Sequence, residues 1–177
     1  MEQPVIRQEE QKDHPAVFKL IQQAFESEAL SDHKEQFLVE RLRQSSAFIP
    51  ELSIVAEQNN RVVGYILLTR ITIQTEKQTW NSLALAPVAV SPSHQGKGIG
   101  GELIQYAHKQ AKTLGEKSVV LLGHAHYYPR FGYKTADSYQ IQLPFEAPSE
   151  NCMAVELIEG GLDEVQGIVH YPAAFFE

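Results

Sequence analysis

The sequence predicts one α/β domain spanning residues 1–177, built on a mixed, mostly antiparallel central sheet flanked by helices. Two segments rich in β-branched residues, 52–57 and 62–73, are separated by Gln58-Asn59-Asn60-Arg61 and read as an antiparallel hairpin. Segment 83–90 then leads through a glycine-rich turn into an amphipathic helix. The short, wholly apolar segment 119–122 follows that helix, the pattern of a buried parallel strand reached by a right-handed crossover. With 177 residues, 43% of them hydrophobic and 21% charged, the chain can bury a substantial core in a single unit.

The remaining elements follow in order. Residues 5–9 read as a first strand. Asp13 followed by Pro15 reads as an N-cap and an early-helix proline, and Val17, Leu20, Ile21, Ala24 and Phe25 form one apolar stripe that ends near Glu26. Asp32 with Glu35 suggests a capping box for a second helix carrying Phe37, Leu38, Arg41 and Leu42, which Ser45 and Pro50 interrupt. A polar loop, 74–81, closes the second hairpin strand, and Pro87 inside 83–90 marks a place where ladder pairing lapses. Leu103, Ile104, Ala107, Ala111 and Leu114 make the stripe of the next helix, with Lys109 and Lys112 at its negative end and Gly115 as its stop. A short helix at 127–131 and strands at 139–145 and 153–158 complete the expected sandwich.

Composition excludes several classes. A formal net charge of -7 offers no general attraction to nucleic acid or to an anionic membrane. The longest apolar stretches, such as 82–90, fall far short of the roughly 20 residues that a membrane span needs. Met1-Glu2-Gln3 lacks the basic and apolar regions of a secretory signal, so a cytoplasmic protein, monomer or homodimer, is expected. The lone Cys152 has no internal disulfide partner and reads as a small buried residue.

The segment His94-Gln95-Gly96-Lys97-Gly98-Ile99-Gly100-Gly101 carries the chemistry. Glycines there let backbone N–H groups approach an anion, the helix N-terminus adds its positive dipole end, and Lys97 can add a point charge. A mere tight connection is the plainer alternative. The string also satisfies G-x-G-x-x-G through Gly96, Gly98 and Gly101, but five residues intervene after Val90, and the next strand ends in Leu122-Gly123 without an acid for a ribose. No G-K-[ST] is present, which rules out a Walker loop.

Gln95, Gly98 and Gly100 match [RQ]-x-x-G-x-[GA], the acetyl-coenzyme A motif of the GNAT superfamily. Leu85-Ala86-Pro87-Val88-Ala89-Val90 resembles that family's fourth strand, and Tyr127-Tyr128-Pro129-Arg130-Phe131-Gly132-Tyr133 resembles its Y-x-x-x-G-[FY] element. The stretches 47–53, Gly123-His124 and 171–175 are similar to a YhbS-like branch, so the resemblance spans nearly the whole chain. It implies an N-acetyltransferase that uses acetyl-coenzyme A (acetyl-CoA) and acetylates a small-molecule or peptide amine. The strands ending at Val90 and Leu122 would splay apart. Gln95, Gly96, Lys97, Gly98, Ile99, Gly100 and Gly101 would bind the pyrophosphate, and Val88, Ala89 and Val90 the pantetheine arm. Tyr128 would be the proton donor in a direct attack without an acyl-enzyme, leaving Cys152 structural.

A lysine-like amine is neutral in only about one molecule per thousand at pH 7.4, so a base or water chain should help. No Glu lies within 83–90, in contrast to relatives that carry one there, which leaves Glu51, His124 and His126. His124, just beyond the parallel strand, is best placed, though a loop-capping role fits it as well. His124 and His126 lack a third ligand of recognisable spacing, so no metal is assigned. A noncatalytic acyl-CoA sensor on the same fold, or a phosphate-binding protein, remain the alternatives. Loops 26–31 and 74–81 are expected to carry acceptor recognition.

Overall fold

A computed structural model describes residues 2–29 and 31–177. Its centre is the hairpin of β2 (Ser53–Gln58) and β3 (Arg61–Gln74), joined through Asn59 and Asn60 at φ 53° and 63°. Two positive-φ residues are what a twisted two-residue hairpin turn requires, and Asn tolerates them. β1 (Val5–Gln8) adds antiparallel to β2, and β4 (Thr79–Val90) antiparallel to β3. After α3 (Ile99–Thr113) the chain crosses over to β5 (Ser118–Leu122), which lies parallel to β4. The short β6 (Lys134–Thr135), β7 (Ile141–Gln142), β8 (Cys152–Glu156) and β9 (Gly167–His170) finish the sheet. Among the described residues the order is β1-β2-β3-β4-β5-β8-β6, with β9 on β3 and β7 on β9.

One irregularity interrupts the register between β3 and β4. Ile66 pairs with Val88 and Leu68 with Leu85, so three steps along β4 face two along β3, and Ala86 and Pro87 together oppose Leu67. Such a bulge bends its strand and increases its twist. β4 pairs with β5 only at Leu83–Val119 and Ala84–Val120, below the bulge, and beyond it the two strands part. The irregularity expected at Pro87 is thus the origin of the gap in the sheet.

The two faces are covered differently. α3 seals one of them, with Leu103, Ile104, Ala107 and Ala111 against Ile54, Ile66, Leu68, Leu83, Val119 and Leu121. On the other, α1 (His14–Phe25) and α2 (Glu35–Arg43) cover Val55, Tyr65, Leu67 and Ala89. A third cluster there, including Ala84, Val120 and Ala154, lies beneath Ile141, Leu143 and Leu162, and Phe175 packs against both.

Several expectations are corrected. Asp13 stands at the N-cap of α1, with Pro15 in the first turn as expected, but its side chain makes no cap hydrogen bond: its carboxylate accepts from Arg7 Nη1 and Nη2 at 2.8 and 3.0 Å and from the Glu10 N–H at 2.8 Å. Asp32 is not the N-cap of α2, which is Lys34; Asp32 Oδ1 accepts from the Lys34 N–H, and Ser31 Oγ donates to the Glu35 carboxylate. The strand expected over 139–145 reduces to Ile141–Gln142, because Ala136–Tyr139 turns as a 3-10 helix and Gln140 takes φ 60°. The one expected over 153–158 is Cys152–Glu156. The loop expected at 74–81 is a tight hairpin turn, Thr75 N–H to Gln78 O at 2.9 Å, at the end of the sheet away from the glycine turn.

Candidate active site

Beyond the bulge, β4 keeps its pairing with β3 and presents its other edge to the gap. The Ser91 N–H donates to Val63 O at 2.8 Å, so by alternation the N–H and C=O groups of Val88 and Val90 face away from β3. Gln95 Nε2 donates to Val90 O at 3.1 Å and ties the glycine turn to the strand end. Val88 and Val90 side chains pack on the α3 side, whereas Ala89 is buried on the opposite face.

The turn divides into two functional halves. Gly98 is the N-cap of α3 at φ 85°, a left-handed conformation that costs an L side chain roughly 1–2 kcal/mol. No side chain caps α3, so its first N–H groups stay available, and Lys97 is exposed beside them. Ile99 is buried in the core and anchors the helix start. Gly100 and Gly101 are helical and serve as seats: a Cβ on Gly100 would lie 3.1 Å from Tyr127 Oη, and one on Gly101 3.3 Å from Phe131 Cζ. The turn and the tyrosine segment therefore pack as one body.

Tyr128 is 8% exposed, and one edge of its ring lies against Gly123 just past β5, where any Cβ would overlap it. Tyr127 meets it edge-on at 5.1 Å and Tyr133 at 5.7 Å. Burial pushes the Tyr128 phenol well above its ordinary range, so the hydroxyl keeps its proton. Behind it, Tyr133 Oη and His108 Nε2 share a hydrogen bond of 2.8 Å, and burial pushes His108 down to about 4. Arg130 Nε donates to Tyr127 O at 2.9 Å, and its guanidinium carbon sits 4.7 Å from the Tyr127 ring centroid.

His124 opens the loop after β5 with its side chain 62% exposed, and Nε2 lies 3.7 Å from Glu28 Oε1. That contact joins loop 26–31 to the end of β5. His126 is exposed in the following turn, and Glu51 is exposed ahead of β2, with β3 between that strand and β4. Cys152 is partly buried, its Sγ–H donates to Pro148 O at 3.7 Å, and burial with the neighbouring Asp137 raises the thiol. It faces no base and stays protonated. Among the described residues no helix is long and apolar enough to cross a membrane. Sequence reasoning missed Gly100 and Gly101 as seats and missed the contacts of Glu28 and His108; only the Tyr127–Phe131 spacing hinted at the first.

Residues 5–136 match the acetyltransferase (GNAT) domain model, most of the chain. The chain belongs to the GNAT acetyltransferase family. The chain is 37% identical over 127 residues to the uncharacterized N-acetyltransferase YjhQ of Escherichia coli, covering 71% of this chain and 70% of that protein. It is 27% identical over 171 residues to the uncharacterized N-acetyltransferase YhbS of the same species, covering 97% and 98%. The crystal structure of that YhbS in complex with CoA superposes with a TM-score of 0.90 at 25% identity, over 100% of this chain and 94% of that one. A GNAT acetyltransferase from Brucella melitensis in complex with acetyl-CoA gives 0.81 at 32% identity, over 99% of each. The gap between β4 and β5 and the uncapped start of α3 are the candidate site.

Proposed function

We propose that this chain transfers an acetyl group from acetyl-CoA to a primary amine by direct attack within a ternary complex, with Tyr128 as proton donor. The carrying observation is the placement of Tyr128, a buried phenol held against the last residues of β5 and packed through Tyr127 onto the first turn of α3. The residues present fit the cosubstrate. Uncapped N–H groups at the start of α3, Gly96 and Gly98 at φ 78° and 85°, and Lys97 suit a pyrophosphate. The edge of β4 at Val88 to Val90 suits an amide-bearing arm.

Acetyl-CoA supplies the activated acetyl thioester. The N–H groups of Val88 and Val90, freed from β5, stabilise charge growing on its carbonyl oxygen. The amine nitrogen bonds to the acetyl carbon as the C–S bond breaks, and the Tyr128 hydroxyl donates to the departing sulfur. The surplus amine proton leaves through His124, which Glu28 orients at 3.7 Å, or through water. One N–C bond forms and one C–S bond breaks; any proton passed from Tyr128 to the thiolate is returned to the phenol oxygen from solvent, which receives the proton that the amine gives up.

Tyr128→Phe keeps the ring on Gly123 and removes only the hydroxyl. It is expected to lower kcat by at least about tenfold with acetyl-CoA affinity unchanged, read as thiol release with a panel of amines. Wild-type turnover in the variant, with chemistry rate-limiting, would sink the assignment. CoA binding without turnover of any amine would favour the noncatalytic sensor instead.

A further inference from the structure

Gly123, the first residue past β5, is a glycine on account of Tyr128. It takes no left-handed backbone, so conformation does not require it; a Cβ there would run into Cε2 and Cδ2 of the Tyr128 ring. Cε2 is bonded to the carbon that bears the hydroxyl, so the backbone of Gly123 sets where that edge of the phenol rests. Tyr127 and Tyr133 meet the same ring edge-on at 5.1 and 5.7 Å, and a buried ring packed in this way follows its seat.

Gly123 is itself held from the neighbouring strand. Leu122 and Cys152 are the last partners in the β5–β8 ladder, and one step further the Gly123 N–H donates to Asn151 O at 2.9 Å. An antiparallel pair of this kind normally exchanges two bonds. Here the main chain cannot return the second, because Asn151 ends a 3-10 turn, Ser149–Asn151, and its own N–H donates to Pro148 O at 3.0 Å. The side chain returns it instead: Asn151 Nδ2 donates to Gly123 O at 2.9 Å. A short side-chain amide suits this task, whereas an ionised aspartate of the same shape has no donor to offer a carbonyl.

We propose that Asn151 is a positioning residue for acetyl transfer: by completing the bond pair of Gly123 it fixes the seat of the Tyr128 ring, and with it the place of the Tyr128 hydroxyl beside the thioester sulfur. The inference rests on the proton-donor reading above. Asn151 acts only through Gly123. Without Nδ2, Gly123 keeps one bond of the pair, and the strand end can lift with the ring that leans on it. A misplacement of about 1 Å at a reacting group is enough to cost most of its effect. CoA binding at the glycine turn and β4 does not depend on that contact.

The test reads the thiol of bound CoA and needs no acceptor. A hydroxyl that donates to the sulfur favours the thiolate and lowers the thiol pKa, followed as thiolate absorbance of the complex, protein alone subtracted, from about pH 6 to 10. Four proteins are compared: wild type, Tyr128→Phe, Asn151→Leu and the double variant. Leucine keeps the size and branching of asparagine and removes the amide; Asn151→Ala, smaller and equally without a donor, serves if the leucine variant does not fold. Tyr128→Phe is expected to raise the bound thiol by at least about half a pH unit, and Asn151→Leu by most of that rise. The double variant should titrate no higher than Tyr128→Phe alone, with CoA affinity at pH 7 unchanged throughout. A wild-type titration in the Asn151 variant, or an equal added rise in the Tyr128→Phe background, overturns the inference and leaves the proton donor standing. No response to Tyr128→Phe overturns the donor reading and this inference with it.

Discussion

Acidification should loosen the wall behind Tyr128 through one residue, His108. Its imidazole is half-buried against Tyr133, and that burial lowers it to about 4. In the unfolded chain it titrates at about 6.5. Between those values the unfolded state binds a proton that the folded state refuses, so stability rises with pH across the window. The contribution is complete above pH 6.5 and is lost as pH falls toward 4. At pH 5 the folded form has barely begun to protonate, whereas the unfolded form is almost fully charged, a penalty of about 2 kcal/mol relative to pH 7. His108→Gln keeps a hydrogen-bonding partner for the Tyr133 hydroxyl and removes the titration. Urea unfolding at pH 7, 6 and 5 is the assay. The wild type is expected to lose about 2 kcal/mol more than the variant between pH 7 and pH 5, since other titrating groups cancel in the comparison. Parallel losses in the two proteins would refute the reasoning and mean that His108 is solvated in the folded state.

Three further outcomes follow. Gly98→Val is expected to weaken acetyl-CoA binding at least about tenfold and to destabilise by roughly 1–2 kcal/mol, because φ 85° strains a β-branched side chain; unchanged affinity by calorimetry would place the anion cradle elsewhere. Gly100→Val is expected to weaken binding by displacing Tyr127, whose hydroxyl occupies the space, so Tyr127→Phe in the same chain should restore part of it; no rescue would mean that the valine acts on the cradle directly. Asp13, held below the usual carboxylate range first by the Arg7 guanidinium, contributes stability above pH 4 that is lost as pH falls through its lowered value. Arg7→Gln is therefore expected to cost roughly 1–3 kcal/mol at pH 7 and to flatten the acid limb, measured by denaturant unfolding; an acid limb as steep as the wild type's would show that Arg7 is not the group holding Asp13 down.

Local signals carry the parts of the fold that are local. The stripe from Val17 to Phe25, the hairpin across Asn59-Asn60 and the turn at Gly96–Gly98 each depend on neighbours in sequence, and periodicity or turn chemistry reveals them. Strands β6, β7 and β9 have two to four residues and exist because distant segments pair with them, as Gly167 does with Ile141 and Ile168 with Gln74. Alternation over Tyr139, Ile141, Leu143 and Phe145 mimics a strand, but Gln140 at φ 60° breaks it and Pro144 cannot donate to a ladder. The site divides the same way. Gln95 to Gly101 and Tyr128 lie in contiguous motifs, whereas Glu28 meets His124 and His108 meets Tyr133 across separate segments that only tertiary packing brings together.

The pairing of a glycine turn with a tyrosine element has a mechanical reason in this structure. Gly98 is needed for its left-handed backbone, but Gly100 and Gly101 are helical, and no conformational demand explains them. Their function is contact: Tyr127 and Phe131 lie directly on them, Phe131 packs against Tyr127 at 5.4 Å, and Tyr127 packs against Tyr128. Aromatic contacts of this kind have one close-packed arrangement and little room to slide. The first turn of α3, which offers N–H groups to an anion, and the phenol at the end of β5 are thus two ends of one rigid stack. Whatever fixes the anion on α3 also fixes the distance from that anion to Tyr128. A ligand long enough to span from the helix start into the gap is thereby measured against the Tyr128 hydroxyl, the proposed proton donor.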